Sequence, residues 1–363
     1  MHVLMSGCFP SHSWDGAPFK GARNRWRASM AGKPIADGLV FGVTEIPGDL
    51  KWLNESLHLV TTYAHKEVCM HCYADKSAGQ TGFADFRHQA GHQARVRTHE
   101  EYMSLYRDRP PWLARLPGVH SGLVKADFMH VFLLGVSAWA CGNILIELCQ
   151  QERFGQFRGP KRLRFNLQLR VAWQMFKRHC STRGWEESQP CFSLNKLGFA
   201  ESSVGGGWPE LKAKAANCGK VHKWLGHLLL HDSATSGHEQ LRRNVAVAWA
   251  EALEICEQGD TWLAAEQSRA FYTRNKCALL SYCLLAREAH ESNIPAWQVR
   301  PNHHVLDHIG DAVLQSHKNP RADWCFKHES CMGLITAVAS KCHPVTVGLT
   351  VLERWLLKFA FDL

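Results

Sequence analysis

The feature that most restricts the fold is a change of period. Up to residue 75 the chain carries a strand signal, and from 76 to 294 it carries helical periodicity almost alone. The strand signal is Leu39, Val40, Phe41, Val43 and Ile46, an apolar, β-branched run that closes on Gly48-Asp49. Apolar residues on both faces predict a strand buried in a sheet covered by helices. A short helix is expected next, over Lys51 to Leu59. The helical span begins in earnest at Leu123, with LVKADFMHVFLLGVSAWACGNILIELCQ, and continues with LRFNLQLRVAWQMFKRHC to Cys180. Apolar residues recur there every three or four positions, the mark of a helix with one buried face. A Gly/Ser-rich break at Ser202 to Trp208 precedes three more helical stretches, ending near His290. The pattern predicts an α/β chain that is mostly helical. Its parts are an N-terminal piece over 1–75, an all-α insertion over 76–294 and a C-terminal return over 295–363.

Composition narrows the setting. Fourteen cysteines are spread through 363 residues without the dense spacing of a secreted disulfide scaffold. The first ten residues, MHVLMSGCFP, have neither a charged leader nor an apolar core, so no signal peptide is expected. The most apolar window, Val131 to Leu148, contains Asn143 and Glu147 and reads as a buried core helix, not a membrane span. A reducing intracellular compartment follows, in which C-x2-C means metal or redox chemistry more often than a disulfide. The net charge of +9 points weakly to a polyanionic partner. No contiguous basic run stands out, and the Arg-rich stretch from Arg87 to Arg115 is the expected contact region.

Four groups of residues carry chemistry. Asp49 ends a strand, where open α/β sheets place their sites, although a lone carboxylate there also serves as a helix cap. Cys69 and Cys72 have the spacing of a zinc-binding turn, and a structural site needs two further ligands. His303, His304 and His308 are the candidates, and His304 and His308 lie one helical turn apart. Asp127 and His130 form a D-x2-H pair at the head of the most apolar helix, placed to bond one another. Glu329 opens a late apolar helix, in CFKHESCMGLITAVA, a position that the helix dipole also favours.

The order of these groups resembles that of the CACTA-type, cut-and-paste DDE transposases and of the catalytic core of the V(D)J recombinase. In those proteins the second catalytic Asp precedes a C-x2-C by about twenty residues, and a His pair precedes the final Glu by a similar distance. Here Asp49 to Cys69 is twenty residues and His308 to Glu329 is twenty-one. The chain is also similar to a group of eukaryotic transposon-derived proteins. They share segments that stand here as Gly48-Asp49-Leu50-Lys51-Trp52, Asp127 to Val131 with Leu134-Gly135-Val136, Pro209 to Asn217, Pro301 to His304, and Asn319 to Gly333.

The resemblance implies an RNase H-like core interrupted by the helical insertion, and metal-assisted cleavage and transfer of DNA strands. It implies Asp49 and Glu329 as ligands of Mg2+ or Mn2+, one structural Zn2+ on Cys69, Cys72, His304 and His308, and the D-x2-H pair as a family motif. It implies DNA as partner and the nucleus as location, with no membrane and with homo-oligomer formation left open. Two departures stand out. Asn302 replaces a Lys, and no residue before Asp49 is well placed as the first catalytic Asp. Asp15 lies in a Trp14-Asp15-Gly16 turn and Asp37 at the start of the strand, so the first strand is expected to be missing and the chain catalytically incomplete. Two carboxylates hold too few oxygens for the paired ions of phosphoryl transfer. The alternative is a non-catalytic, zinc-stapled helical protein that binds nucleic acid or another partner.

Overall fold

The computed structural model describes residues 45–57, 65–77, 82–92, 95–106, 119–199 and 207–326, with isolated residues at 61, 110–111 and 114 and within 336–354. Two compact units are present, Val43–Asp323 and a second made of Met1–Gly42 with Trp324–Leu363. In the second unit, the rings of Trp324 and Phe326 meet edge to face at 5.3 Å. The first unit contains every element named below.

Strand β1 is Ile46–Gly48, and helix α1, Leu50–Ser56, follows at once. The turn between them is made by Asp49, whose Oδ1 accepts the Trp52 N–H at 2.9 Å and satisfies one orphan donor of the helix. Helix α2, His99–Met103, is a single turn closed by a capping box between Thr98 and Glu101. Strand β2, Val124–Ala126, pairs parallel with β1, Ile46 facing Val124 and Gly48 facing Ala126. The sequence pattern predicts no strand between 76 and 294 and starts a helix at Leu123, so β2 is a correction. Three residues are too few for a period of two to register, and Val124 is extended because β1 offers its backbone a partner. Among the described residues the RNase H-like core that the resemblance implies is not seen. Among the described residues the sheet has these two strands.

From Met129 onward the unit is mostly helical, as the periodicity predicts. Helix α3, Met129–Gln150, is wound as a π-helix from Met129 to Ser137 and as an α-helix from Ala138 onward. By length and composition it could cross a membrane, yet most of it is buried inside the protein. Two of its polar residues explain why it belongs to the core. Asn143 accepts the Trp297 N–H at 2.9 Å, and Glu147 accepts the Trp297 indole N–H at 2.5 Å. Buried polar groups with partners of this kind are tolerated in protein interiors.

Helices α4 (Lys161–Arg183), α5 (Ala215–Leu230), α6 (Gly237–Gln258), α7 (Ala265–Glu291) and α8 (Pro301–Ser316) complete the bundle. The π-wound start of α3 packs on α5 and α8, and α6 packs between α5 and α7. Aromatic rings tie these helices together. Phe132 meets Trp249 at 5.9 Å, Trp249 meets Tyr282 at 5.9 Å, and Tyr282 meets Trp297 at 5.2 Å. Ring contacts of this size, the first and third edge to face, add to the burial of the rings themselves. The α5–α6 crossing is close, because Gly226 has no side chain. A Cβ there would sit 2.5 Å from the Ala250 Cβ and 2.9 Å from the Ala246 oxygen.

Candidate metal centre

Residues 66 to 76 form a tight hairpin around the C-x2-C. Val68 donates to the Ala74 oxygen at 3.0 Å, and Lys76 donates to the Lys66 oxygen at 3.1 Å. Inside the turn, backbone N–H groups point at the sulfurs. His71 donates to Cys69 Sγ at 3.3 Å and Ala74 to Cys72 Sγ at 3.4 Å. Such contacts favour the thiolate, the form that binds metal. Arg97 fixes the hairpin from outside. Its Nε donates to the Cys72 oxygen at 3.1 Å and its backbone N–H to the His71 oxygen at 2.9 Å. Its guanidinium pairs with Glu67 and lies 4.0 Å over the Tyr73 ring.

The other two ligands arrive on α8. Pro301 stands at its first position, and the Arg300 N–H donates to His303 Nδ1 at 3.1 Å, so His303 caps the helix. His304 and His308 are one turn apart and face the hairpin together. Cys72 Sγ lies 3.2 Å from His304 Nε2 and 3.3 Å from His308 Nε2, and the two Nε2 atoms are 3.1 Å apart. All four ligand atoms, Cys69 Sγ included, lie within 4.8 Å of one another. A tetrahedral zinc with bonds of about 2.3 Å to sulfur and about 2.0 Å to nitrogen sets ligand atoms roughly 3.3–3.8 Å apart. The set fits that ion, with two thiolates, two neutral imidazole nitrogens and a buried pocket. Cys69, Cys72 and His304 are almost wholly shielded from water.

Charge in the pocket is arranged for a cation. Burial opposes ionisation of Cys69, but the Cys72 thiol and the imidazoles of His308 and His304 outweigh it and hold its pKa well below the ordinary thiol value. Cys72 moves the other way. Its proton is shared with the Cys69 sulfur, and burial adds to the rise. Without metal the pair therefore keeps one proton, and zinc binding would expel it.

Around the ligands lies a second group of buried polar residues. Asp307, between the two histidines, pairs with Lys276 of α7 at 2.5 Å, and His92 Nε2 stands 3.9 Å from the same carboxylate. The His92 ring packs against His304 with centroids 4.6 Å apart and so fixes the ligand's orientation. Burial opposes the Asp307 charge, yet His92 and Lys276 outweigh it and hold its pKa below the usual carboxylate value. Sequence spacing gives no hint of His92, in a loop two hundred residues from α8. Lys276 had a signal, since it is a cation among the buried positions of α7.

The remaining candidates fall elsewhere. His303, the expected substitute ligand, turns to the bundle interior, its ring 4.4 Å from that of Tyr282, and burial lowers its pKa to about 3. Asp49 and Asp127 follow the paired residues Gly48 and Ala126, and the Asp127 N–H donates to the Gly48 oxygen at 2.8 Å. Asp49 caps α1, whereas Asp127 is buried, accepts the Met129 N–H at 2.9 Å and pairs with His130. The D-x2-H pair is thus bonded within itself, as its spacing predicts. Asn302 directs its amide toward the His130 oxygen at 3.5 Å. Glu329 lies outside the described residues, as do Asp15 and Asp37. Of the Arg87–Arg115 stretch, Arg97 is taken up by the hairpin and Arg87 by Asp85 at 2.7 Å. Comparison of the chain with family models, with characterised proteins and with solved structures gives no match.

Proposed function

We propose that this chain is a zinc-stapled protein of DDE-transposase descent, which binds DNA and does not by itself cut it. The observation that carries the reading is the convergence of Cys72 with His304 and His308, 232 and 236 residues away in sequence. The motif order of the transposases implies that ligand set. Four protein ligands leave no open position for water, so the ion would be structural and not hydrolytic. It would fasten the hairpin after α1 to α8, closing the chain across the whole helical span. Structural zinc in finger peptides is worth roughly 10–16 kcal/mol of apparent binding energy, ample to hold two segments together.

The catalytic part of the descent rests on Asp49 and Glu329 as ancestral ligands of Mg2+ or Mn2+. Asp49 stands at a strand end, the usual place for such a carboxylate, and Asp127 ends the adjacent parallel strand. Asp127 is committed to His130 and to the start of α3, which leaves this chain alone short of three converging carboxylates. The nuclear location of a DNA-binding protein belongs to the same proposal. The test is incubation of the purified, zinc-loaded chain with supercoiled plasmid in Mg2+ or Mn2+. Retarded but uncut plasmid is expected. Metal-dependent nicking that Glu329→Gln abolishes would contradict the claim of incompleteness, and no retardation at low salt would contradict DNA binding.

A further inference from the structure

The net charge of this protein is unevenly distributed along the chain. From Arg153 to Trp185 the chain has nine of its 42 Lys and Arg and none of its 33 Asp and Glu, a local excess equal to the net charge of +9. Seven of these cations are on α4 and two, Arg153 and Arg158, are on the loop leading into it. An ordinary solvated helix face mixes signs, because Glu and Lys four residues apart stabilise it. α4 has no such pair. Lys161, Arg162 and Arg164 occupy its first turn, where the helix dipole disfavours cations, and no side chain caps its N-terminus.

The helix is held to the bundle by its other face. Phe165, Leu169, Ala172, Phe176 and Cys180 are buried, and Phe176 meets Trp224 of α5 at 5.7 Å. Along the exposed side run Arg170, Lys177 and Arg178, and Arg183 stands exposed in the last turn, round the helix from them on the side of Phe176. Lys177 reaches Glu187 at 3.2 Å and Arg164 reaches Glu152 at 3.8 Å. Arg170, Arg178 and Arg183 meet no carboxylate among the described residues. Twenty-three residues make a helix of about 34 Å, close to one turn of B-form DNA. The exposed apolar side chains on α4 are Leu163 and Met175, without the exposed aromatic residues of a membrane-surface helix.

We infer that the outer face of α4, with its exposed last turn, is the surface on which this protein holds duplex DNA, through phosphate contacts that carry no sequence preference. The inference rests on the DNA-binding reading above and gives it a location. The first-turn cations oppose the helix dipole, and Arg170, Arg178 and Arg183 meet no carboxylate among the described residues, so a polyanion lying along the helix offsets both costs. Contacts of this kind release counterions, so affinity falls linearly on a log–log salt plot by about 0.9 per phosphate neutralised.

The test is fluorescence anisotropy of a labelled 30-base-pair duplex titrated with zinc-loaded protein between 50 and 300 mM salt. Three proteins are compared with the wild type. In R170A/R178A/R183A the salt slope should fall by about 2–3 and affinity at 0.1 M salt should drop at least tenfold. R170K/R178K/R183K keeps the charges and should bind within threefold of wild type, which separates lost charge from lost folding. R269A/R274A/R287A removes as many charges from α7 and should also bind within threefold. A wild-type slope in R170A/R178A/R183A would overturn the inference while leaving DNA binding intact. No duplex binding by the wild type at 50 mM salt would overturn both. Flotation of the wild type with phosphatidylserine vesicles, without duplex binding, would also overturn it.

Discussion

Replacing Lys276 by Met should destabilise the protein severely, although Lys276 touches no ligand of the metal centre. The ammonium group lies 2.5 Å from the Asp307 carboxylate, and both residues are at most 3% exposed. Lys276→Met leaves that carboxylate in the interior without its cation, which costs about 3–5 kcal/mol. The bond from Lys276 to the Phe86 oxygen is lost as well, adding about 1 kcal/mol. Urea denaturation at pH 7 with zinc present should therefore show a loss of about 4–6 kcal/mol. The double variant K276M/D307L removes both charges and should recover most of it, because an apolar pair of similar volume is tolerated where a half-pair is not. The sign of the pH dependence follows from Asp307. Its folded pKa is depressed, so its stabilisation is present above the unfolded carboxylate value near 4 and is lost as pH falls through the folded value. That acid-labile contribution should vanish in the double variant. A loss below 1 kcal/mol in K276M, or a double variant less stable than K276M, would refute the buried pair.

Two further outcomes test the bundle. His238 bridges Glu147 at 3.1 Å and Glu288 at 2.7 Å, and these bonds, Glu147 foremost, raise its pKa to about 9. Its stabilisation is complete below the unfolded value near 6.5 and is lost as pH rises through 9. Because the side chain is 38% exposed, solvent screening reduces the effect to about 1 kcal/mol. The stability difference between wild type and His238→Gln should be largest below pH 6.5 and gone by pH 10, and a constant difference would contradict the bridge. Gly226→Ala gains about 1 kcal/mol in helix propensity but drives a methyl into the α6 backbone. A net loss of about 1–2 kcal/mol is expected, and a stabilised variant would show that α5 and α6 do not cross so closely.

Much of the site was legible before any coordinates. The C-x2-C spacing and the four-residue spacing of His304 and His308 mark the two thiols and the histidines as candidates, and the resemblance, not the spacing, implies which four share an ion. Spacing leaves His303 open as a substitute ligand, and the fold turns its ring to Tyr282. The structure adds what spacing does not encode. His92 comes from a loop, and Lys276 and Arg97 act through contacts that join distant segments. β2 has no pattern of its own and exists because β1 pairs with it. The Arg87 to Arg115 stretch stands out by its cations alone, whereas the excess on α4 consists of scattered cations in a stretch that lacks carboxylates and shows only when both signs are counted.

The central claim is that one zinc joins the hairpin of Cys69 and Cys72 to α8. X-ray absorption at the zinc edge, on purified chain of measured metal content, tests it most directly. One zinc per chain, with two sulfurs near 2.3 Å and two nitrogens near 2.0 Å, is the expected result, and Cys69→Ser or His308→Ala should abolish it. A chain that purifies without zinc, or a zinc surrounded by oxygen or by a different ratio of sulfur to nitrogen, would contradict the claim.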